Sequence, residues 1–116
     1  MKVVLVALAG AAGALTRWGI GSVVGTRSFP WATLAVNVAG SFALGWVLAG
    51  DRWSATTTTA VTVGFLGAFT TFSTFAFEAT SLARDDRAGT AFLYVGASMA
   101  LGLLAAAGGW RLGRPS

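Results

Sequence analysis

The stretch Gly64-Phe65-Leu66-Gly67-Ala68-Phe69-Thr70-Thr71-Phe72-Ser73-Thr74-Phe75 lies inside an uncharged run bounded by Arg52 and Glu78. That run covers 25 residues, positions 53–77. A helix that crosses a bilayer needs about 20 predominantly apolar residues at about 1.5 Å rise each. The run is long enough to span, yet its centre is crowded with hydroxyls. Gly64 and Gly67, followed by Thr70, Thr71, Ser73 and Thr74, predict a third helix broken near mid-membrane. A break at that depth is tolerated only inside protein or beside water, and it frees backbone groups to bind ions. On helical spacing Thr71, Thr74 and Glu78 share one face and Phe69, Phe72 and Phe75 another.

Working outward, the charged residues punctuate the whole chain. Lys2 and Arg17 bound a run of 14 residues, Arg27 and Asp51 one of 23, and Arg87 and Arg111 another of 23. The first run spans only if Arg17 lies near an interface or lines a polar cavity. The expected architecture is an all-α integral membrane protein, a single four-helix domain over residues 1–116. Its helices fall at about 3–22, 31–50, 54–82 and 88–110, with the third starting near the Thr56–Thr59 tract. The loops Gly25–Pro30, Gly50–Ser54 and Arg84–Asp86 are short, and Arg111–Ser116 forms a stub. The start also resembles a secretory signal: Met1-Lys2, an apolar Val3–Leu8, then Ala12-Gly13-Ala14. Cleavage there would leave three helices beginning near Arg17. The retained first helix is the favoured reading.

Composition excludes much else. Of 116 residues, 55% are hydrophobic and 10% charged, against about 25% charged in soluble domains. There is no Cys and no His. Zinc, haem and iron–sulfur sites of the usual kind, disulfides and Ser-His-Asp triads are therefore ruled out. A lone Glu78 without a second close carboxylate provides no acid–base pair, so the chain is not expected to be an enzyme. No nucleic-acid partner is expected.

Eight Lys or Arg stand against four Asp or Glu, net +4. With four spans, Lys2, Arg52, Arg111 and Arg114 lie on one side. Arg27, Arg84, Arg87 and, if it counts, Arg17 lie on the other. The positive-inside rule has almost no bias to act on, which predicts dual topology. Gly21-x-x-x-Gly25 and the other small residues predict close helix packing. Four short helices hardly enclose a polar route alone, so a dimer is expected.

The remaining polar residues at depth are Asn37 and Ser41, four apart, and Tyr94 and Ser98, also four apart. Taken singly, each has a plain explanation in back-bonding or helix–helix glue. Together they are donors without acid groups, which suits an anion. Phe rings present a positive edge, and two of them can hold a small anion without trapping it. On these grounds the chain carries an uncharged anion pathway, for an ion that the residues do not name.

These motifs resemble the small fluoride channels, the Fluc or CrcB family. Gly10-Ala11-Ala12-Gly13-Ala14-Leu15-Thr16-Arg17-Trp18 is similar to the family's Gly-rich first-helix stretch ending in Arg. Thr33-Leu34-Ala35-Val36-Asn37-Val38-Ala39-Gly40-Ser41-Phe42 is similar to its second-helix motif around a pore Asn. Gly64–Phe75 is similar to its signature, with Ala68 where Gly is common. Tyr94 and Ser98 match the start of its fourth-helix polar track, which thins here at Gly102 and Ala105–Ala107. The resemblance implies an antiparallel homodimer in dual topology with two pores in the cell's inner membrane, exporting fluoride passively. It implies Phe72 and Phe75 as pore aromatics, Asn37 as a donor to the ion, and Thr71, Ser73, Thr74, Tyr94 and Ser98 as hydroxyl donors along the fluoride pathway. It places Arg17 at a vestibule, attracting anions. It also implies a structural Na⁺ at the dimer interface, held by the backbone carbonyls of Gly67 and Thr70, and gives Glu78 no transport role.

Two rivals remain. A small multidrug transporter has similar length and four helices, but it needs an acidic residue deep in an early helix, and the first two helices here have none. A structural subunit of a larger membrane complex accounts for the glycines but not for the clustered donors and Phe.

Overall fold

The structure, a computed structural model, describes residues 1–115, and every regular element among them is a helix. In chain order these are α1 (Lys2–Val24), α2 (Trp31–Ala49), α3 (Ala55–Thr59), a π-helical segment (Ala60–Leu66), α4 (Gly67–Phe69), α5 (Phe72–Arg84) and α6 (Ala88–Gly113). Four segments are long and apolar enough to cross a membrane: Lys2–Val24, Trp31–Ala49, Ala55–Arg84 and Ala88–Gly113.

The third of these is composite. It starts at Ser54, whose side chain accepts the Thr57 amide as an N-cap. Thr59 and Thr62 then bond back to the carbonyls of Ala55 and Thr58. Such back-bonding competes with the helical ladder and bends helices. The chain widens into the π-helical segment and stops being helical at Thr70 and Thr71, both extended. The glycines thus fall in the loosened stretch, while the interruption itself sits at the two threonines.

Pairing is selective. α1 lies along the π-helical segment and α4, and α2 lies along α6. Both contacts depend on absent side chains. A Cβ at Gly13 would overlap the Phe65 carbonyl, and one at Gly109 would overlap the Phe42 carbonyl. Gly21 and Gly25, by contrast, have nothing within 4 Å, so packing within the protomer does not use that pair. Their spacing permits close approach, but the neighbouring elements reach this end of α1 on another side, at Ile20, and not at these two glycines. Arg52 joins the ends of α2 and α6, donating to Trp46 O at 2.7 Å and Gly113 O at 2.8 Å. The last helix runs on through Arg111–Gly113, residues expected to lie in a terminal stub, and ends at Gly113 with Arg111 in its last turn. Ser116 lies outside the described residues.

The protomer is a slab of 48 × 32 × 20 Å. Two small cores hold it together. One contains Leu34, Phe75, Leu82, Ala91 and Tyr94; the other contains Val36, Leu66 and Phe69. Phe69 is therefore separated from Phe75. The extended residues 70 and 71 interrupt the helical phase, so the three-residue spacing of Phe69, Phe72 and Phe75 does not keep them on one face.

Candidate functional site

The site is built around the interruption at Thr70–Thr71. In a continuous helix the Thr71 amide would bond to the Gly67 carbonyl. Here it donates to Asn37 Oδ1 at 2.8 Å, and Asn37 Nδ2 donates back to Thr71 O at 3.0 Å. One side chain on α2 thus satisfies both backbone groups of an extended residue, as a neighbouring strand would. On the α4 side, Arg17 Nε donates to Ala68 O at 3.1 Å. A cation at the carbonyl end of a helical segment is favourable. On the α5 side, Thr71 Oγ1 caps the helix by accepting the Thr74 amide at 3.2 Å. The Gly67 and Thr70 carbonyls consequently lose the amides of Thr71 and Thr74 that helical geometry would pair with them.

Two cavities meet at this point. The larger, of about 740 Å³, lies among α1, the α1–α2 loop, the start of α2 and α5. Arg17, Arg27 and Arg87 line it against Glu78 and Asp85, which leaves one positive charge in excess. Thr71 and Thr74 form part of its wall. The smaller, of about 410 Å³, has no charged residue in its lining. Its polar groups come from Asn37, Ser41, Thr62, Thr70, Thr71 and Ser98, beside the rings of Phe72 and Phe75. Thr71 borders both cavities. The interruption with its Asn37 clamp is the partition between a cationic chamber and a neutral one.

Within the neutral cavity the two aromatics differ. Phe75 is 7% exposed and packs 5.1 Å from the Tyr94 ring, centroid to centroid. Phe72 is 74% exposed and stands 5.9 Å from Phe75. Ser98 Oγ is buried without any hydrogen-bond partner. A buried hydroxyl left unpaired is costly, and such an exception calls for an explanation.

The remaining expected residues are placed less centrally. Gly67 and Thr70 border the neutral cavity, and Thr74 the cationic one. Tyr94 is fully buried, lines neither cavity, and donates to Glu78 Oε1 at 2.9 Å. Ser73 is exposed and lines neither. Ser41, Thr62 and Met99 join the neutral cavity without having been singled out as site residues. For Ser41 the signal was there, four residues beyond Asn37. Thr62 and Met99 carry no motif of their own.

The profile of the family described as "CrcB-like protein, Camphor Resistance (CrcB)" matches residues 4–110. The chain is 50% identical to "Fluoride-specific ion channel FluC 2" of Rhodococcus jostii, over 97% of this chain and 98% of that protein. It is 46% identical to "Fluoride-specific ion channel FluC" of Acidobacterium capsulatum, over 90% of both. It is 44% identical to a protein of the same name from Thermus thermophilus, over 97% of this chain and 93% of that one. With its profile matched almost end to end and a clamped interruption where the signature motif lies, the chain belongs to the CrcB family.

Proposed function

We propose that this protein is a fluoride-selective ion channel that lets cytoplasmic fluoride leave the cell passively, and not an enzyme. The observation that carries the reading is the partition at Thr71, which joins a cationic chamber to a neutral one rich in uncharged donors. Arg17 and its neighbours raise the local anion concentration. Beyond the partition no carboxylate lines the route to repel the ion. Hydroxyls, the second Asn37 amide hydrogen and aromatic edges can replace water around a small anion while allowing its release. The amide ends of α5 face the same junction, and helix N-termini favour anions. The negative-inside potential drives efflux by about 2.3 kcal/mol per charge per 100 mV. Hydrogen fluoride enters uncharged and ionises inside, so a passive exit for the anion suffices.

The functional unit in this proposal is an antiparallel homodimer in the inner membrane with two pores, each using residues of both copies. Three features support it. Charge is nearly balanced between the two sides, the protomer is only 20 Å thick, and Phe72 projects from it 74% exposed. Phe72 and Phe75 would serve as the pore aromatics, and Asn37, Thr71, Thr74 and Ser98 as its donors, whereas Ser73 and Tyr94, expected among them, line neither cavity and the Tyr94 hydroxyl is committed to Glu78. The interruption would then lie at mid-membrane depth. A structural Na⁺ fits the same interruption. The Gly67 and Thr70 carbonyls lack helical partners, carbonyl oxygens suit a hard cation, and a twofold pair would provide four of them.

Proteoliposomes test the reading. Loaded with fluoride, and with a potassium ionophore present, they should empty quickly; loaded with chloride they should barely leak. Equal rates, or no fluoride efflux, would sink the proposal.

A further inference from the structure

On α6 the residues that follow Tyr94 at four-residue intervals are Ser98, Gly102 and Ala106, so the helix runs out of hydroxyls after Ser98. All three of these positions line the neutral cavity. α2 and α6 run in parallel there: Leu34 packs with Ala91 and Tyr94 at one end, and Gly45 meets Ala106 at the other. Ser41 is therefore level with Gly102, and a Cβ built on Gly102 would stand 3.9 Å from Ser41 Oγ. Resting on the channel reading, we propose that Ser41 supplies the donor α6 lacks at Gly102, so that the anion route crosses from α6 to α2 one turn beyond Ser98.

The chemistry supports such a hand-over. Ser41 Oγ donates at 2.7 Å only to Asn37 O, one turn earlier on its own helix. That bond is local, and giving it up leaves the helical ladder intact. A hydrogen bond to an anion is about twice as strong as a neutral one, so rotation of the hydroxyl toward a passing fluoride is favourable. The Asn37 side chain that clamps Thr71 is not involved, since Ser41 touches only the Asn37 carbonyl. Loss of the Ser41 hydroxyl therefore leaves the partition in place.

Fluoride and chloride efflux from proteoliposomes, with assembly checked by gel filtration, tests this with four proteins: wild type, Ser41→Ala, Gly102→Ser and the double variant. Wild type without fluoride-selective efflux would overturn the channel reading itself. Given a working wild type, Ser41→Ala should lower fluoride throughput about tenfold, the scale of one charge-assisted hydrogen bond. Gly102→Ser in that background should restore it, because the new hydroxyl enters the space the old one left. Unchanged throughput in Ser41→Ala overturns the proposal. A loss that Gly102→Ser does not rescue overturns it too, for Ser41 would then act through packing. Should Ser41→Ala fail to assemble, Gly102→Ser alone decides: a severalfold change in throughput supports a route at that level, and none excludes it.

Discussion

Thr71 and Asn37 form the smallest unit that explains the molecule. An extended residue within a helical span leaves one amide and one carbonyl without partners, and a carboxamide is the one short side chain that can satisfy both. Asn37→Asp keeps the acceptor, loses the donor and sets a carboxylate against the Thr71 carbonyl. Asn37→Ala strands both groups at about 1–3 kcal/mol each. Both variants should lower thermal stability and reduce fluoride efflux, with Asp the worse in efflux because it adds charge at the partition. Full efflux from Asn37→Asp would show that the clamp is dispensable. The aromatics separate at this scale as well. Phe72→Ile, at an exposed position, should cut throughput at least tenfold with the melting temperature unchanged, whereas Phe75→Ile should also cost about 1–2 kcal/mol of stability from its packed site against Tyr94. If both variants conduct like wild type, the aromatic assignment is wrong.

Among the elements, backbone proximity does the work that burial does in soluble proteins. Lipid provides no hydrophobic drive between helices, so their association rests on close packing. Gly13 against Phe65, and Gly109 against Phe42, bring α1 to the π-helical segment and α6 to α2. Gly109→Val should prevent that approach and shift purified protein from a single assembled species to aggregate, as seen by gel filtration. Gly21→Val, at a position with open space around it in the protomer, should not affect protomer folding. Equal behaviour of the two would refute the distinction. Sequence motif alone marks Gly21-x-x-x-Gly25 as the more conspicuous pair, but a motif only permits close approach; a neighbouring helix has to be there.

For the whole molecule the proposal is an assembly of two oppositely inserted copies. Four cationic residues on one side nearly match those on the other, so small additions should tip the insertion. Two Lys inserted beside Trp53 should force every copy one way and abolish export, and a partner biased oppositely should restore it. Export by the Lys-bearing protein alone would argue against antiparallel assembly. Sodium acts at this scale too. Replacing it with a large organic cation on both sides of the membrane should slow fluoride efflux markedly, and an unchanged rate would remove the proposed cation from the Gly67 and Thr70 carbonyls.

Charge spacing and hydropathy by themselves determined four spans, their approximate limits and the near-even charge split, because the cost of placing charge in hydrocarbon is written residue by residue. The shortage of deep carboxylates and the supply of uncharged donors that line the neutral cavity were equally legible, since they are properties of composition. What only the tertiary structure decided is which groups face one another. The interruption fell at Thr70 and Thr71 rather than at the glycines, because the place where a helix opens depends on what can pair its freed groups, and Asn37 and Arg17 come from other helices to do so. Phe69 left the aromatic row because two extended residues shifted the helical phase. Ser41 entered the neutral cavity because α2 lies beside α6 at the level where α6 has only a glycine. Each of these outcomes depends on contacts between residues far apart in the chain, and periodicity along one helix carries no information about them.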